Sequence, residues 1–537
     1  MAGATQSRLV EGDTTATDAV AAATVGLSAI LFVLAVAAMF ERVSLTGTIA
    51  GLRTVTLLGG LLIALGVAVI VFGVGSRLGY VETDPDSSAG LIASAGAAVP
   101  WFVVGGGVAS ETLGLGVAGG VAGAVLAGGV AFVATAVPRE DVGSTVPLGS
   151  LLAFVGLVFL TGTIGPGWLW NLGWEQQASI TAEFLVPTAT LFSVLYGGWA
   201  AAKAYGRFGA RGRHMGAYVL VYLNALSIIG FLFILIAFVV VQGLPGLLTG
   251  VQVGAGVGPQ VFGSFELPVS VPFVMNGVAL LNDFQGVLPA IVGTIWLVVG
   301  AVLFAVPLGV GAAIFLTEYA ERGRFTQAVE VSTNGLWSTP SIVFGLFGFA
   351  FLIPRFGNRK SLLAGMLTLG FMLLPLVLIT SREAMLSVPD EYRDASAALG
   401  VSKWQTIRSV VLPAALPGVV TGVILGVGRI AGETAPILLT MAGGTFVPGG
   451  QTVDVVGGFE FTGSPPFVAN PELLQATSAL PYQLYALITA GVGLGSNVSD
   501  PTGFRWATAL VLLIVVLSFY AIGIGARYYF RRQLRHD

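Results

Sequence analysis

The chain of 537 residues is 55% hydrophobic and only 9% charged, with a formal net charge of −3 and no cysteine, whereas a soluble globular chain is usually about 25% charged. This composition excludes a soluble globular protein and a basic nucleic-acid-binding surface, and it predicts an all-α polytopic membrane protein. Without cysteine there is no disulfide, thiolate zinc site or iron–sulfur cluster, and the two histidines, His214 and His536, lie in charged flanks and read as solvated residues, so neither a catalytic nor a metal site is expected.

The first twenty residues, MAGATQSRLVEGDTTATDAV, are polar and lack the basic n-region of a signal peptide, so they are expected to stay attached. Hydrophobic runs punctuated by polar and Pro/Gly clusters then predict six spans before residue 210, at roughly 19–40, 54–75, 90–108, 112–137, 147–165 and 183–204. Six more are expected at roughly 216–241, 288–316, 331–353, 361–380, 414–441 and 505–527. Residues 1–210 form an extra membrane region rich in Gly, Ala and Val, where the pairs Gly116/Gly120 and Gly119/Gly123 predict close helix packing. Residues 211–537 carry long polar connections and hold the candidate machinery.

Positive residues orient the second region. Arg207 to His214, Glu321 to Phe325, the stretch with Arg382, Arg393, Lys403 and Arg408, and the C-terminal RYYFRRQLRHD fall on one side, read as cytoplasmic, if six spans alternate. The loop PRFGNRK (Pro354 to Lys360) opposes this assignment with three positive charges.

Ser387 to Gly418 reads as a helix pair between spans. Asp390, Glu391 and Asp394 suit a first helical turn, Gly400 suits a left-handed stop, and Ser402 with Gln405 makes a capping-box pattern opening a second helix. Pro413 precedes the next span. The order Asp394-Ala395-Ser396, three residues, Gly400, nine residues, then Val410-x-Leu412-Pro413 resembles the EAA loop of ABC-transporter permeases. In that family this loop, here 390–413, docks on the ATPase subunit. The chain has three lysines, Lys203, Lys360 and Lys403, none after a glycine, so a phosphate-binding G-x-x-x-x-G-K-[ST] loop is absent.

The span VILGVGRIAGETAPILLT (Val423 to Thr440) carries Arg429 and Glu433 four residues apart. Its eight Leu, Ile and Val residues contribute roughly −2.4 to −4.8 kcal/mol to insertion, and each central charge costs about 2.5 to 3.5 kcal/mol, so the charges must face the bundle interior or a wet cavity. Two readings stand: an ion pair fastening helices, or a site for an anion crossing the midplane, where the guanidinium offers donors matched to a tetrahedral oxyanion. Glu433 would repel a bare dianion such as sulfate but accept the O–H of hydrogen phosphate, and Thr434 adds a hydroxyl.

GRIAGETAPILLT resembles the fifth-span signature of PstA-type phosphate ABC transporter permeases, and STPSIVFGLFGF (Ser338 to Phe349), PLGVGAAIFLTEYA (Pro307 to Ala320) and TSALPYQLYALIT (Thr477 to Thr489) resemble other segments of that family. The resemblance implies a six-helix permease core in the cell membrane, preceded here by about six additional helices, and the positive residues place the core's ends in the cytoplasm. It also implies a PstC-like second permease, a PstB-like ATPase dimer using ATP and Mg, a PstS-like phosphate-binding protein, no cofactor in this chain, and a translocation path at Arg429 and Glu433. Sulfate, molybdate or tungstate permeases and an ATP-independent channel or secondary transporter are the rival readings. Asn497 in NVS fits a glycosylation acceptor.

Overall fold

The computed structural model describes residues 16–171, 179–254, 256–258, 260–261, 265–277, 286–321, 323–442, 452–465, 467–489 and 500–533; Asn497 and His536 lie outside them. The protein is all-α apart from two- and three-residue strand pairs in its loops. Among the described residues, eleven helices are long and apolar enough to cross a membrane, or twelve if one sharply bent pair is a single span. The chain divides into two compact units, Met1–Leu235 and Ile236–Asp537.

Unit 1 contains α1 (Ala16–Met39), α2 (Thr54–Arg77), α3 (Leu91–Thr112), α4 (Gly116–Ala136), α5 (Glu140–Leu160) and α6 (Ala182–Tyr205). The fifth span begins at Glu140 rather than near 147, because Glu140 and Asp141 belong to its first turn and Pro147 is tolerated inside it. Helices α2 and α5 meet through glycines spaced by seven, Gly59, Gly66 and Gly73 on one and Gly149 and Gly156 on the other. A Cβ on Gly66 would lie 2.5 Å from the Gly149 carbonyl oxygen, and one on Gly156 would lie 2.6 Å from that of Gly59, so the two backbones are in contact. Of the small residues expected to pack in α4, Gly120 and Gly123 face α3, against Ser110 and Ala109. Gly116 takes a positive φ at the helix start and Gly119 meets its own Leu115, so only half of each predicted pair makes an interhelical contact.

The same unit holds a buried ionic cluster. Lys203 Nζ on α6 lies 2.7 Å from Glu140 Oε1, with side chains 1% and 0% exposed. Glu140 Oε2 accepts the backbone N–H groups of Asp86 and Gly209, each at 3.0 Å. Beside it Asp141 takes Arg139 as its ion partner and accepts from Ser76 Oγ at 2.9 Å.

Helix α7 (Gly209–Leu248) contains the division between the units. Leu223, in its first half, joins the core of unit 1 formed by residues such as Leu31, Leu62 and Val194, whereas Gly243 presses on the Trp506 carbonyl in unit 2.

Unit 2 continues with α8 (Leu288–Tyr319), α9 (Arg324–Ser338), α10 (Ser341–Arg355), α11 (Leu362–Leu386), α12 (Asp390–Ala398), α13 (Lys403–Ala431), α14 (Ala435–Thr440), α15 (Leu480–Thr489) and α16 (Pro501–Gln533). Its core is the seam of α8, α11 and α13, where Leu297, Ala301, Leu369, Leu373 and Ile430 are fully buried. Two expected spans are broken. The run 331–353 is the pair α9 and α10, bent by 102°: Pro340 lacks an N–H and forces Thr339 into an extended conformation, φ −68° and ψ 133°. The run 414–441 is interrupted at Gly432 to Thr434, so that α14 is a separate short helix.

Helix α13 also begins earlier than the hydropathy suggests. The second helix of the loop pair runs into the span without a stop, through a π-helical turn at Ile407–Val411. That wider turn takes up the missing N–H and ring bulk of Pro413, which an unbroken α-helix would oppose.

Candidate functional site

Both helix breaks in unit 2 come together. A Cβ on Gly345 of α10 would lie 2.9 Å from Pro436 Cα of α14, so the arms beyond the two breaks pack backbone against backbone. At the breaks themselves, Arg429 lies in the last turn of α13 and its guanidinium lies 4.5 Å over the ring of Trp337, the last aromatic residue before the α9 bend. Arg429 Nε is 3.9 Å from Glu433 Oε1, and the two side chains are 33% and 19% exposed. Glu433 and Thr434 lie in the non-helical connection, with Thr434 preceding α14 at φ −109° and ψ −45°.

A separation of 3.9 Å is at the outer limit of an ion pair and beyond a hydrogen bond. Among the described residues the Arg429 guanidinium has no hydrogen-bond partner, and its contacts are the Trp337 face and Glu433. The arrangement presents a cation backed by an aromatic quadrupole, with a carboxylate within reach of the same ligand. Such a pair can bind an oxyanion that carries one proton.

Asp394, Ala395 and Gly400 lie beyond the far end of α13, and Leu412 and Pro413 lie within it. Helix α12 closes with Gly400 at φ 70°, Gly400 N–H donating to Ala397 O at 3.0 Å and Val401 N–H to Ser396 O at 3.2 Å, which is the Schellman pattern. Ser402 then opens α13 with both bonds of the capping box to Gln405. Asp394, Ala395 and Gly400 are exposed on this tip, together with Leu399, Tyr392 and Trp404 at 82%, 55% and 55% exposure, while Leu412 and Pro413 are half-buried where α13 turns into the bundle. The loop residues and the Arg429 group are therefore two separate places on one structural element, joined by helix α13.

Residues that local sequence reasoning missed hold this frame. Arg393 of α12 donates to Glu318 Oε1 at 2.9 Å and to the carbonyls of Val388 and Met385, pinning the loop to the end of α8. Arg382 Nη2 lies 2.6 Å from Glu330 Oε1 and joins α11 to α9. The positive loop that opposed the charge pattern is partly engaged by protein: Arg355 donates to Phe351 O at 2.6 Å, and Lys360 Nζ donates to Leu438 O at 2.7 Å near the end of α14. Burial holds the Lys360 ammonium below its ordinary pKa.

Residues 305–536 match the sequence profile of the family described as binding-protein-dependent transport system inner membrane component. The chain is 32% identical over 241 residues to the probable ABC transporter permease protein YqgH of Bacillus subtilis, covering 44% of this chain and 69% of that one. The chain belongs to this family. It is also 39% identical over 166 residues to the phosphate transport system permease protein PstA of Haemophilus influenzae, covering 31% of this chain and 58% of that protein. With PstA 1 of Mycobacterium tuberculosis it shares 42% identity over 165 residues, covering 31% and 54%. The chain thus spans little more than half the length of these two relatives. The family segment holds the Arg429 group and the coupling-type loop, and it leaves unit 1 outside.

Proposed function

We propose that this chain is the membrane-spanning permease subunit of an ATP-driven phosphate importer, with Arg429, Glu433 and Thr434 in the translocation path. The observation that carries the reading is the loose Arg429–Glu433 pair, 3.9 Å apart and partly exposed at the meeting of two helix breaks. A pair built only to fasten helices would be close and hydrogen-bonded, since each unsatisfied charge in a membrane interior is costly. Discontinuous helices whose ends converge are also the device by which transporters expose polar groups at mid-membrane depth. The names of the PstA relatives point to phosphate, and the carboxylate beside the guanidinium favours a protonated oxyanion over sulfate by repulsion.

In this reading the exposed tip around Asp394, Ala395 and Gly400 docks on a separate PstB-like ATPase, which uses ATP and Mg, and a PstC-like permease completes the path. A PstS-like protein delivers phosphate on the opposite face. The tip, the C-terminal arginines and the end of α8 lie in the cytoplasm. Closure of the ATPase pair displaces the tip, and α13 carries the displacement to Arg429 at its other end.

The test is uptake of labelled phosphate and sulfate into vesicles carrying the full complex. Arg429→Gln should lower phosphate uptake about tenfold or more, the equivalent of about 1.4 kcal/mol of lost stabilisation, while the ATPase still copurifies. Glu433→Gln should admit sulfate. Unchanged phosphate uptake in both variants would make the pair structural, and transport of molybdate, tungstate or sulfate in place of phosphate by the unaltered complex would reassign the substrate.

A further inference from the structure

Two adjoining cavities lie in unit 2 below the Arg429 group, of about 350 and about 120 Å³, both lined by Leu316, Glu330 and Arg382. The larger is lined as much by polar as by apolar groups and includes Gln327, and the smaller includes Thr333 and Asn334. The volume of the larger is many times the roughly 30 Å³ share of one water, so it has room for a small anion with its first waters.

Arg382 faces this space from α11. Its Nη2 lies 2.6 Å from Glu330 Oε1 and its Nη1 3.7 Å from Glu383 Oε1, and its Nε is buried with no hydrogen-bond partner among the described residues. A guanidinium is a planar set of five donors, and among the described residues this one makes a single hydrogen bond, to Glu330, so the head group that lines the cavity keeps donors for an added acceptor. As at Arg429 and Glu433, a guanidinium stands beside a carboxylate, here two of them, Glu330 at 2.6 Å and Glu383 at 3.7 Å, a surrounding that favours an anion carrying a proton.

Helix α9 connects the two arginines. Glu330, Thr333, Asn334 and Trp337 are spaced i, i+3, i+4 and i+7 and so share one face. Trp337 at one end of this face touches Arg429, and Glu330 at the other end touches Arg382. Seven residues at 1.5 Å each put the two ends about 10 Å apart. This face is polar from Glu330 to Asn334 and ends on the Trp337 ring that backs Arg429, so it has a guanidinium at each end.

We propose that Arg382 is a second binding station for the transported tetrahedral oxyanion, with Glu330 opposite it and the amides of Gln327 and Asn334 beside it, reached from Arg429 along the α9 face. This rests on the anion-path reading of Arg429 given above. The anion leaves the first guanidinium for the second on the coupling-loop side, and Glu330, like Glu433, accepts the O–H of a protonated anion and disfavours an unprotonated one.

The experiment measures initial uptake of labelled inorganic phosphate over a range of concentrations, with the ATPase rate, in vesicles carrying the full complex. Arg382→Gln should lower the maximal uptake rate about tenfold or more with the half-saturating concentration little changed, Arg382→Lys should recover part of it as a point charge, and Glu330→Gln should lower it only about threefold. ATP hydrolysis should continue in Arg382→Gln, so that more ATP is spent per phosphate. Equal losses in Arg382→Gln and Glu330→Gln, with the double variant no worse, would show a pair that merely fastens α9 to α11 and would overturn the station. Normal uptake in Arg382→Gln would overturn it as well. Absence of phosphate uptake in the unaltered complex would instead remove the reading on which the station depends.

Discussion

The Arg393 guanidinium and the Glu318 carboxylate, 2.9 Å apart, tie the coupling-type loop to the end of the preceding long helix. The Glu318 side chain is 7% exposed, and among the described residues Arg393 is the cation that holds its carboxylate away from most solvent. The loop is thus clamped to α8 as well as continuous with α13, and a push on its tip has two outlets into the bundle.

Removing the cation strands Glu318. Arg393→Met should lower stability by about 2 kcal/mol, the scale of a charge-assisted hydrogen bond at a partly buried site. The double variant with Glu318→Gln should regain most of it. Denaturation of the purified protein checks both, and ATP-driven uptake should fall in the single variant even where the ATPase subunit still copurifies.

Gly400 holds φ at 70° in the Schellman turn, a conformation an L side chain adopts at a cost of about 1 kcal/mol. Gly400→Val should loosen the tip and weaken ATPase copurification, and Gly400→Asn should be milder because asparagine tolerates the left-handed region. Equal behaviour of the two variants would show that the turn is not needed for docking.

Trp337 backs Arg429 at 4.5 Å, and a cation–π contact of this kind is worth about 0.5 to 2 kcal/mol. Trp337→Leu should therefore reduce uptake by about 2- to 30-fold, whereas Trp337→Phe keeps a ring face and most of the activity. Comparison of the two at equal expression separates the quadrupole from simple bulk.

In unit 1, Lys203→Met removes the close partner of the buried Glu140 and leaves it Arg213, 3.6 Å from Oε2, as a more distant cation, which should cost about 3 kcal/mol. The paired replacement Lys203→Met with Glu140→Gln should regain most of the loss in the same stability measurement, because the amide oxygen still accepts from the N–H groups of Asp86 and Gly209, whereas Glu140→Leu would leave both without an acceptor.

The loop tip was legible in the sequence because its signals are local. The capping box spans Ser402 to Gln405 and the glycine stop sits at one residue, so short-range rules read them directly. The breaks were not, since a hydropathy window averages across Thr339-Pro340 and Gly432 to Thr434 and returns one apolar run for two helices. The Thr-Pro step after Trp337 and Ser338 was the available signal, because the residue before proline leaves the α region. Arg429 and Glu433 stood out by charge alone, but Trp337 is 92 positions before Arg429 and Glu140 is 63 before Lys203, and no spacing rule links residues that distant. Only the packing of the helices brings them together.

The glycine contacts between α2 and α5 bear on how unit 1 changes with descent. Each of Gly66 and Gly156 has a partner carbonyl within 2.6 Å of where its first side-chain carbon would stand. Residues such as Val67 and Val71 on the outside of α2 are instead widely exposed and exchangeable for any apolar neighbour. Kinship in this unit will therefore survive as a rhythm, a glycine at every seventh position on facing helices, long after the letters between have drifted beyond recognition.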